Sequence, residues 1–469
     1  MTDGWTVVLD IGKTHSKATL WDDAGNCMAQ RSRANPRLTT GNSMSLDAAG
    51  IERWLRGVLS EFAKVGPVTA ILPVAHGAGA ALIRNGQLQY APLDYEWPGA
   101  SADRAAYNRQ RDPFPATGSP ALPGGLNIGM QLHWLESLHA TDFRSMQIVP
   151  WAQYWAWLLC GVAASELTSL GCHTDLWRPY DRAPSHLAVR RGWADRLAPL
   201  KPANEVLGTL APEWIRGTGL SRRVAVYCGM HDSNAALLAA RSRPELQGHD
   251  ATILSTGTWF VAMRTPSGNG AHHATLLPEE RDCLLNVDVA GTPIPSARFM
   301  GGREIEMLAG ADVADSAVDA SRLESAIKAV DAGEMIIPPC VPGVGPFPTA
   351  KSRALETQAN AGDRTALAHL YAAMLADVSL ELIGSHDTLL IDGRFSAAPV
   401  FVQALANLRP TTHVLVSADE HGVAHGALLL VNLKHSESAP LQRVPPLAVD
   451  MSGYRTRWRD AAERASDRA

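Results

Sequence analysis

The first eighty residues alternate between apolar runs and turn-forming clusters, and that pattern predicts strands before anything else. Val7-Val8-Leu9 is a continuous apolar run that predicts a buried strand from Thr6 to Asp10, and Ala18 to Trp21 predicts a second after a break at Gly12. Asp22-Asp23-Ala24-Gly25-Asn26 is dense in turn formers and leads into a third strand. From Ile51 the period changes. Trp54, Leu55, Val58, Leu59 and Phe62 recur at helical spacing, the stripe of an amphipathic helix. Val68 to Val74 reads as strand again. Between Asp94 and Gly125 the chain is polar and rich in Pro and Gly, a long irregular excursion of the kind that tends to carry function.

Past Arg222 the pattern restarts. Val224 to Tyr227 predicts a strand, and Gly229-Met230-His231-Asp232 leads into an Ala- and Leu-rich helix ending near Ala240. Residues 251–263 then read as strand, small-polar turn with one glycine, strand, which repeats the opening hairpin about halfway along the chain. Thr388 to Ile391 and His413 to Val416 supply two further strands, with a helix over Pro399–Leu408 between them and another from about Gly422. After His435 the sequence is polar and contains proline, and a charged helix near 455–464 is expected to lie on the outside. Two half-chains that each open on a strand–turn–strand hairpin predict a duplicated α/β unit.

Composition narrows the partners. At 469 residues the chain exceeds one core, and 19% charged residues with 46% hydrophobic ones is an ordinary globular balance. A net charge of −5 argues against nucleic acid as a partner. No apolar stretch approaches the roughly 20 residues of a membrane span, and no basic-then-apolar signal region opens the chain, so a cytoplasmic protein with no membrane partner is expected. Six cysteines without a CxxC pair fit reduced thiols rather than a zinc site.

The opening hairpin, Val7-Val8-Leu9-Asp10-Ile11-Gly12-Lys13-Thr14-His15-Ser16-Lys17, contains a Gly-Lys-Thr that invites comparison with a P-loop. A P-loop requires another glycine where Val7 stands, and an aspartate would not open a bare phosphate cradle. Both oddities resolve if the phosphates arrive with Mg²⁺. Asp10 then holds the cation, often through its waters, while Gly12 lets backbone N–H groups approach the anion.

The ordered set Asp10–Lys17, Gly229–Asp232 and Ser255-Thr256-Gly257-Thr258-Trp259 resembles the FGGY carbohydrate kinases. The resemblance spans residues 6 to 430 and implies an α/β fold of duplicated ribonuclease-H-like (actin-like ATPase) domains flanking a catalytic cleft. It implies an N-terminal kinase domain over 1–244, a C-terminal one over 245–434, and a tail over 435–469. ATP and Mg²⁺ are the implied cofactors and a small sugar the implied partner, with homo-oligomerisation left open. Within the family, His231-Asp232-Ser233-Asn234-Ala235, Ser255 to Trp259 and Arg298-Phe299-Met300-Gly301-Gly302-Arg303-Glu304 look most like the L-fuculose and L-rhamnulose kinases. The adenosine-side motif, three glycines in many members, stands here as Asp392-Gly393-Arg394-Phe395, which places two side chains where the nucleotide contact would be closest.

The matched motifs assign roles. Asp232 is the expected general base for the attacking hydroxyl, a role compatible with capping the helix that follows. Asp10 is the expected metal ligand. Gly12, Lys13, Thr14, Lys17, Ser255, Thr256, Gly257, Thr258, Gly302, Gly393, Arg394 and Phe395 are the expected nucleotide-side residues. Sugar contacts are expected from His76, Gly77, Asp94, Glu96, His173, Asp175, His231 and Asp232, whose carboxylates and imidazoles suit hydroxyl groups. The Trp151, Trp155, Trp157 run is expected to be core. Two other classes remain: a chaperone- or filament-type ATPase of the same superfamily, which needs no hydroxyl base, and a kinase-like sugar sensor, which needs a DNA-binding segment.

Overall fold

A computed structural model describes residues 4–41, 43–267, 277–310, 320–349, 361–417, 421–431 and 440–467. The opening run is strand β1 (Trp5–Ile11), which turns at Gly12 into β2 (His15–Trp21) and continues to β3 (Cys27–Ala34). Helix α1 (Ala48–Val65) starts where the Asp47 carboxylate accepts the Gly50 N–H at 2.8 Å, and its apolar stripe feeds into β4 (Val68–Ala75). Further on come α2 (Trp151–Cys160), β5 (Val206–Thr209), β6 (Ala225–Tyr227), β7 (Met230–His231) and α3 (Asp232–Arg241). The seven strands form one sheet in the order β5-β6-β4-β1-β2-β3, with β7 also on β4. β1, β4 and β6 run parallel, and β2 and β3 complete an antiparallel meander.

Strand period sets the faces. Val7, Leu9 and Ile11 pack with Ile51, Leu55, Leu59 and Phe62 of α1, and the tryptophans of α2 join that core as expected. Val8 points the other way, into a cluster with Leu72, Val74, Ala235, Ala424 and Leu428. Asp10 therefore sits on the Val8 side of the sheet, at the end of β1.

The second half repeats the plan. Strands β8 (Ala251–Thr256) and β9 (Phe260–Thr265) form a hairpin, followed by β10 (Cys283–Val287), β11 (Pro293–Phe299), helix α4 (Gly301–Ala309), α5 (Ala361–Leu382), β12 (Thr388–Gly393), α6 (Pro399–Leu408), β13 (His413–Val416), β14 (Gln442–Arg443) and α7 (Ser452–Asp467). The sheet order is β10-β11-β9-β8-β12-β13-β14, with β8, β12 and β13 parallel. The central hairpin flanked by two parallel strands thus occurs twice. By contacts the chain divides into two units: Met1–Ala239 with Leu285–Pro293 and His421–Glu437, and Ala240–Leu284 with Ile294–Glu420 and Ser438–Ala469.

Two regions differ from the sequence reading. The excursion after Asp94 contains short helices at Ser101–Asn108 and Phe114–Thr117. The charged C-terminal helix is not a surface appendage: Tyr454, Trp458 and Ala462 are buried in the second unit's core. Its arginines reach inward, Arg455 and Arg459 donating to the fully buried Asp377 at 2.8 and 2.7 Å. Composition disguised the helix because its apolar stripe is only three residues wide.

Candidate active site

The first unit gathers charge at the C-terminal ends of β1, β4 and β7. In register, Asp10 lies opposite Lys17 on β2 and Val74 on β4. Burial and the negative charge of Asp232 push the Asp10 carboxyl up to about 7, while Lys17 opposes the shift. An acid held at that value is short of positive charge. Among the described residues no group of three or more His, Cys, Asp or Glu side chains is arranged to hold a metal ion. Asp10 with Asp232 nearby nonetheless suits Mg²⁺, which keeps most of its waters and needs only one or two carboxylates.

The glycine turn is tied down by a residue that sequence reasoning missed. Asn35 donates from Nδ2 to the Gly12 carbonyl at 2.9 Å, and its backbone N–H donates to the Thr14 carbonyl at 2.7 Å. Thr14 is exposed at the tip. Lys13 does not project from the turn. Its ammonium pairs with Asp94 and lies 4.7 Å from the centroid of the Tyr95 ring. The structure therefore gives this expected phosphate ligand a partner in the expected sugar loop, because Asp94 is almost fully buried and needs a cation.

Gly229 makes the turn before Asp232 possible. It adopts φ 75°, and a Cβ there would stand 1.9 Å from the Pro73 carbonyl oxygen. The chain then delivers His231 and Asp232 to the start of α3. Asp232 Oδ1 accepts from the Ser233 N–H at 2.6 Å and lies 3.2 Å from His231 Nε2. The charge of Asp232 also reaches its neighbours. Burial and Asp232 together push the Cys172 thiol up to about 12. His76 is held down to about 4 by burial, against the pull of Asp232, so it is neutral at neutral pH. Its ring packs edge-on to Tyr95 at 5.6 Å. Among the described residues neither ring nitrogen has a hydrogen-bond partner, and together with Lys13, Asp94 and Trp151 the ring lines a cavity of about 30 Å³.

The remaining expected sugar contacts fall into other arrangements. Glu96 pairs with Arg37. His173 Nδ1 faces the Leu126 carbonyl at 2.8 Å. Asp175 accepts from Tyr107 Oη at 2.6 Å and from both Nε and Nη2 of Arg111 at 2.9 Å. Its oxygens are thus taken up inside the protein, in a setting where a buried carboxylate must be paired.

In the second unit the equivalent turn is built from packing. Gly257 N–H donates to the Trp259 carbonyl at 3.0 Å, closing the turn with Thr258 exposed and Ser255 half-buried on the strand before it. Two glycines brace it. A Cβ on Gly302 would stand 2.0 Å from the Gly257 carbonyl oxygen, and one on Gly393, at φ 89°, would stand 2.4 Å from that of Thr256. The Thr256 hydroxyl donates to the Asp392 carbonyl at 2.7 Å and accepts from the Phe395 N–H at 3.0 Å, so it clamps β8 to the turn after β12. Phe395 is buried in the core, 5.3 Å from the Phe260 ring, and Arg394 turns out to Glu306 at 2.9 Å. The side chains of Arg394 and Phe395 thus have their own partners within the unit.

Comparison with known proteins agrees with this plan. Residues 248–440 match the family described as Carbohydrate kinase FGGY, C-terminal domain. The crystal structure of a carbohydrate kinase from Novosphingobium aromaticivorans is 47% identical, with a TM-score of 0.90 over 99% of this chain and 100% of that one. A ligand-bound xylulose kinase from Lactobacillus acidophilus is similar at 13% identity and TM-score 0.79 over 99% of this chain and 97% of that one. A Plasmodium falciparum glycerol kinase with ADP is similar at 13% identity and TM-score 0.77, covering 98% of each chain. Among curated proteins none matches. The two units carry the duplicated ribonuclease-H-like, actin-like ATPase fold, and the chain belongs to the FGGY carbohydrate kinases.

Proposed function

We propose that the protein is a magnesium-dependent kinase that transfers the γ-phosphoryl group of ATP to a terminal hydroxyl of a small neutral sugar. A ketose or deoxyketose such as L-rhamnulose or L-fuculose is the acceptor. One observation carries this reading: a carboxylate at a helix start, Asp232, remains 26% exposed beside a second acid, Asp10, whose own proton is held to about 7. Asp232 takes the proton of the acceptor hydroxyl as its oxygen bonds to the γ-phosphorus. The bond from that phosphorus to the bridging oxygen breaks, and ADP leaves. Asp10 would hold Mg²⁺, which neutralises developing phosphate charge. The second unit's turn would offer the backbone N–H and hydroxyl of Thr258, beside Gly257, to the nucleotide phosphates.

Charge pairing favours a neutral acceptor over a sugar acid. Lys13 is neutralised by Asp94, Arg33 by Asp47 and Arg37 by Glu96, so these three cations near the first turn are already committed. The likeness of His231–Ala235, Ser255–Trp259 and Arg298–Glu304 to the L-fuculose and L-rhamnulose kinases supports the ketose class. A coupled ADP-release screen against ketoses, pentoses, polyols and sugar acids tests the proposal. Stimulation by a neutral ketose supports it; stimulation by sugar acids alone, or by no sugar, overturns it.

A further inference from the structure

Asp232 meets three donors, and all of them converge on one oxygen. The Ser233 N–H and Ser233 Oγ lie 2.6 and 3.2 Å from Oδ1, and His231 Nε2 lies 3.2 Å from the same atom. Among the described residues no donor reaches Oδ2. Nor does the carboxylate accept from the N–H two or three residues on, as an N-cap side chain does. The contacts therefore orient the group rather than cap the helix.

Which nitrogen of His231 carries the proton follows from its other neighbour. Asn234 Nδ2 stands 3.1 Å from His231 Nδ1. An amide nitrogen only donates, so Nδ1 must accept and the ring proton must lie on Nε2, facing the carboxylate. The reversed amide would require a proton on Nδ1, and a neutral ring would then set a bare lone pair against an anion. Burial, which outweighs the charge of Asp232, keeps the ring in its neutral form.

The main chain that carries the ring is also fixed. The backbone N–H of His231 donates to Thr168 Oγ1 at 3.1 Å, and that hydroxyl donates to Glu166 Oε2 at 2.7 Å. Glu166 is itself buried and also accepts the N–H groups of Thr168 and Ser169 at 2.9 and 3.0 Å. On another side is Gly77, where a Cβ would come within 2.9 Å of Nε2 and 2.6 Å of Cys172 Sγ. The absence of a side chain at Gly77 makes room for the imidazole.

We infer that His231 is a positioning residue rather than a sugar contact: held as the Nε2–H tautomer by Asn234, it pins Oδ1 of Asp232 and leaves Oδ2 to receive the acceptor proton. The inference rests on the reading of Asp232 as general base. Loss of the pin lets the carboxylate rotate away from the attacking hydroxyl, which lowers kcat without weakening substrate binding, and misplacement on that scale costs up to about 100-fold.

Four variants and one spectrum test this. In full-length protein labelled with ¹⁵N-histidine, the His231 ring should show the neutral Nε2–H pattern, and Asn234→Ala should lose it. His231→Leu should cut kcat by about 10- to 100-fold, with the KM values for sugar and nucleotide within about twofold. His231→Gln, which can still present an N–H, should recover most of that loss. A wild-type ring protonated on Nδ1 overturns the inference even if His231→Leu fails to fold. So does a His231→Leu variant that raises sugar KM at unchanged kcat, which would make His231 a sugar contact. Asp232→Asn separates the two levels: retained turnover defeats the general-base reading itself, whereas lost turnover with an unaffected His231→Leu defeats only the pin.

Discussion

The two glycine turns share a topology and differ in almost everything else. In each, a strand runs into a tight turn and returns antiparallel, with a parallel strand at its side. The first turn is charged, with Asp10 before the glycine, Lys13 within it and Lys17 after it, and it is tied by the side chain of Asn35. The second turn carries hydroxyls and an aromatic, and it is braced by the bare backbones of Gly302 and Gly393. A charged turn suits a cation and proton chemistry. A turn crowded by glycines suits close approach of a polyanion to backbone N–H groups. On the proposed reading, duplication kept the scaffold while the work was divided.

The largest effect that would break this division is at Asp232. Asp232→Asn removes the proton acceptor yet keeps an oxygen for Ser233, so turnover should fall by ~10²–10⁴ while thermal stability hardly moves. Steady-state ADP release and a melting curve check both halves.

Asp10→Asn should raise the magnesium requirement and depress turnover. It also makes a pH prediction with a definite sign. The folded-state value of about 7 exceeds the ordinary 3.8, so the stability tied to the protonated group is complete below about 3.8 and is lost as pH rises through about 7. Asn stays neutral and keeps that stability. Without nucleotide or metal, Asp10→Asn should be more stable than wild type at about pH 8, by at most about 4 kcal/mol, and nearly equal at about pH 4. Denaturant melts that show the same difference at both pH values would remove Asp10 from the charged cluster.

Thr256→Val sharpens the account of the second turn. Its hydroxyl bridges the Asp392 carbonyl and the Phe395 N–H, so losing it should cost about 1–3 kcal/mol of stability by leaving buried backbone groups unpaired. A full-sized fall in turnover at unchanged stability would instead make the hydroxyl a phosphate ligand. The smallest effect is expected at Arg394→Ala. The half-exposed pair with Glu306 is worth less than about 1 kcal/mol, and ADP affinity measured by calorimetry should stay as in wild type.

Much of the scaffold was legible because strand and helix periods are local. The helix Pro399–Leu408 and the strand His413–Val416 fall where their apolar pattern ends. The buried C-terminal helix was not legible, because its core contacts Tyr454, Trp458 and Ala462 are outnumbered by its charged residues, of which Arg455 and Arg459 reach inward to Asp377. At the site, the motifs located Asp10 and Asp232 but not what orients them. Asn35 and Thr168 act through contacts 23 and 63 residues away in sequence, which no spacing reveals. Asn234 was within reach, since residues three apart in the first helical turn share a face. Asp94 and Asp175 look equivalent in sequence as buried acids of loops, yet one meets Lys13 and the other Tyr107 and Arg111, a distinction only the fold makes.

The division between the turns is tested most directly by measuring ADP affinity and turnover in the same two variants, Asp232→Asn and Gly302→Ala. Calorimetry should find Asp232→Asn binding ADP as wild type does, with its turnover nearly abolished. Gly302→Ala, whose added carbon would press on the Gly257 carbonyl, should bind ADP about tenfold more weakly while keeping most of its turnover at saturating nucleotide. Turnover retained in Asp232→Asn, or ADP affinity lost there and unchanged in Gly302→Ala, would contradict the account.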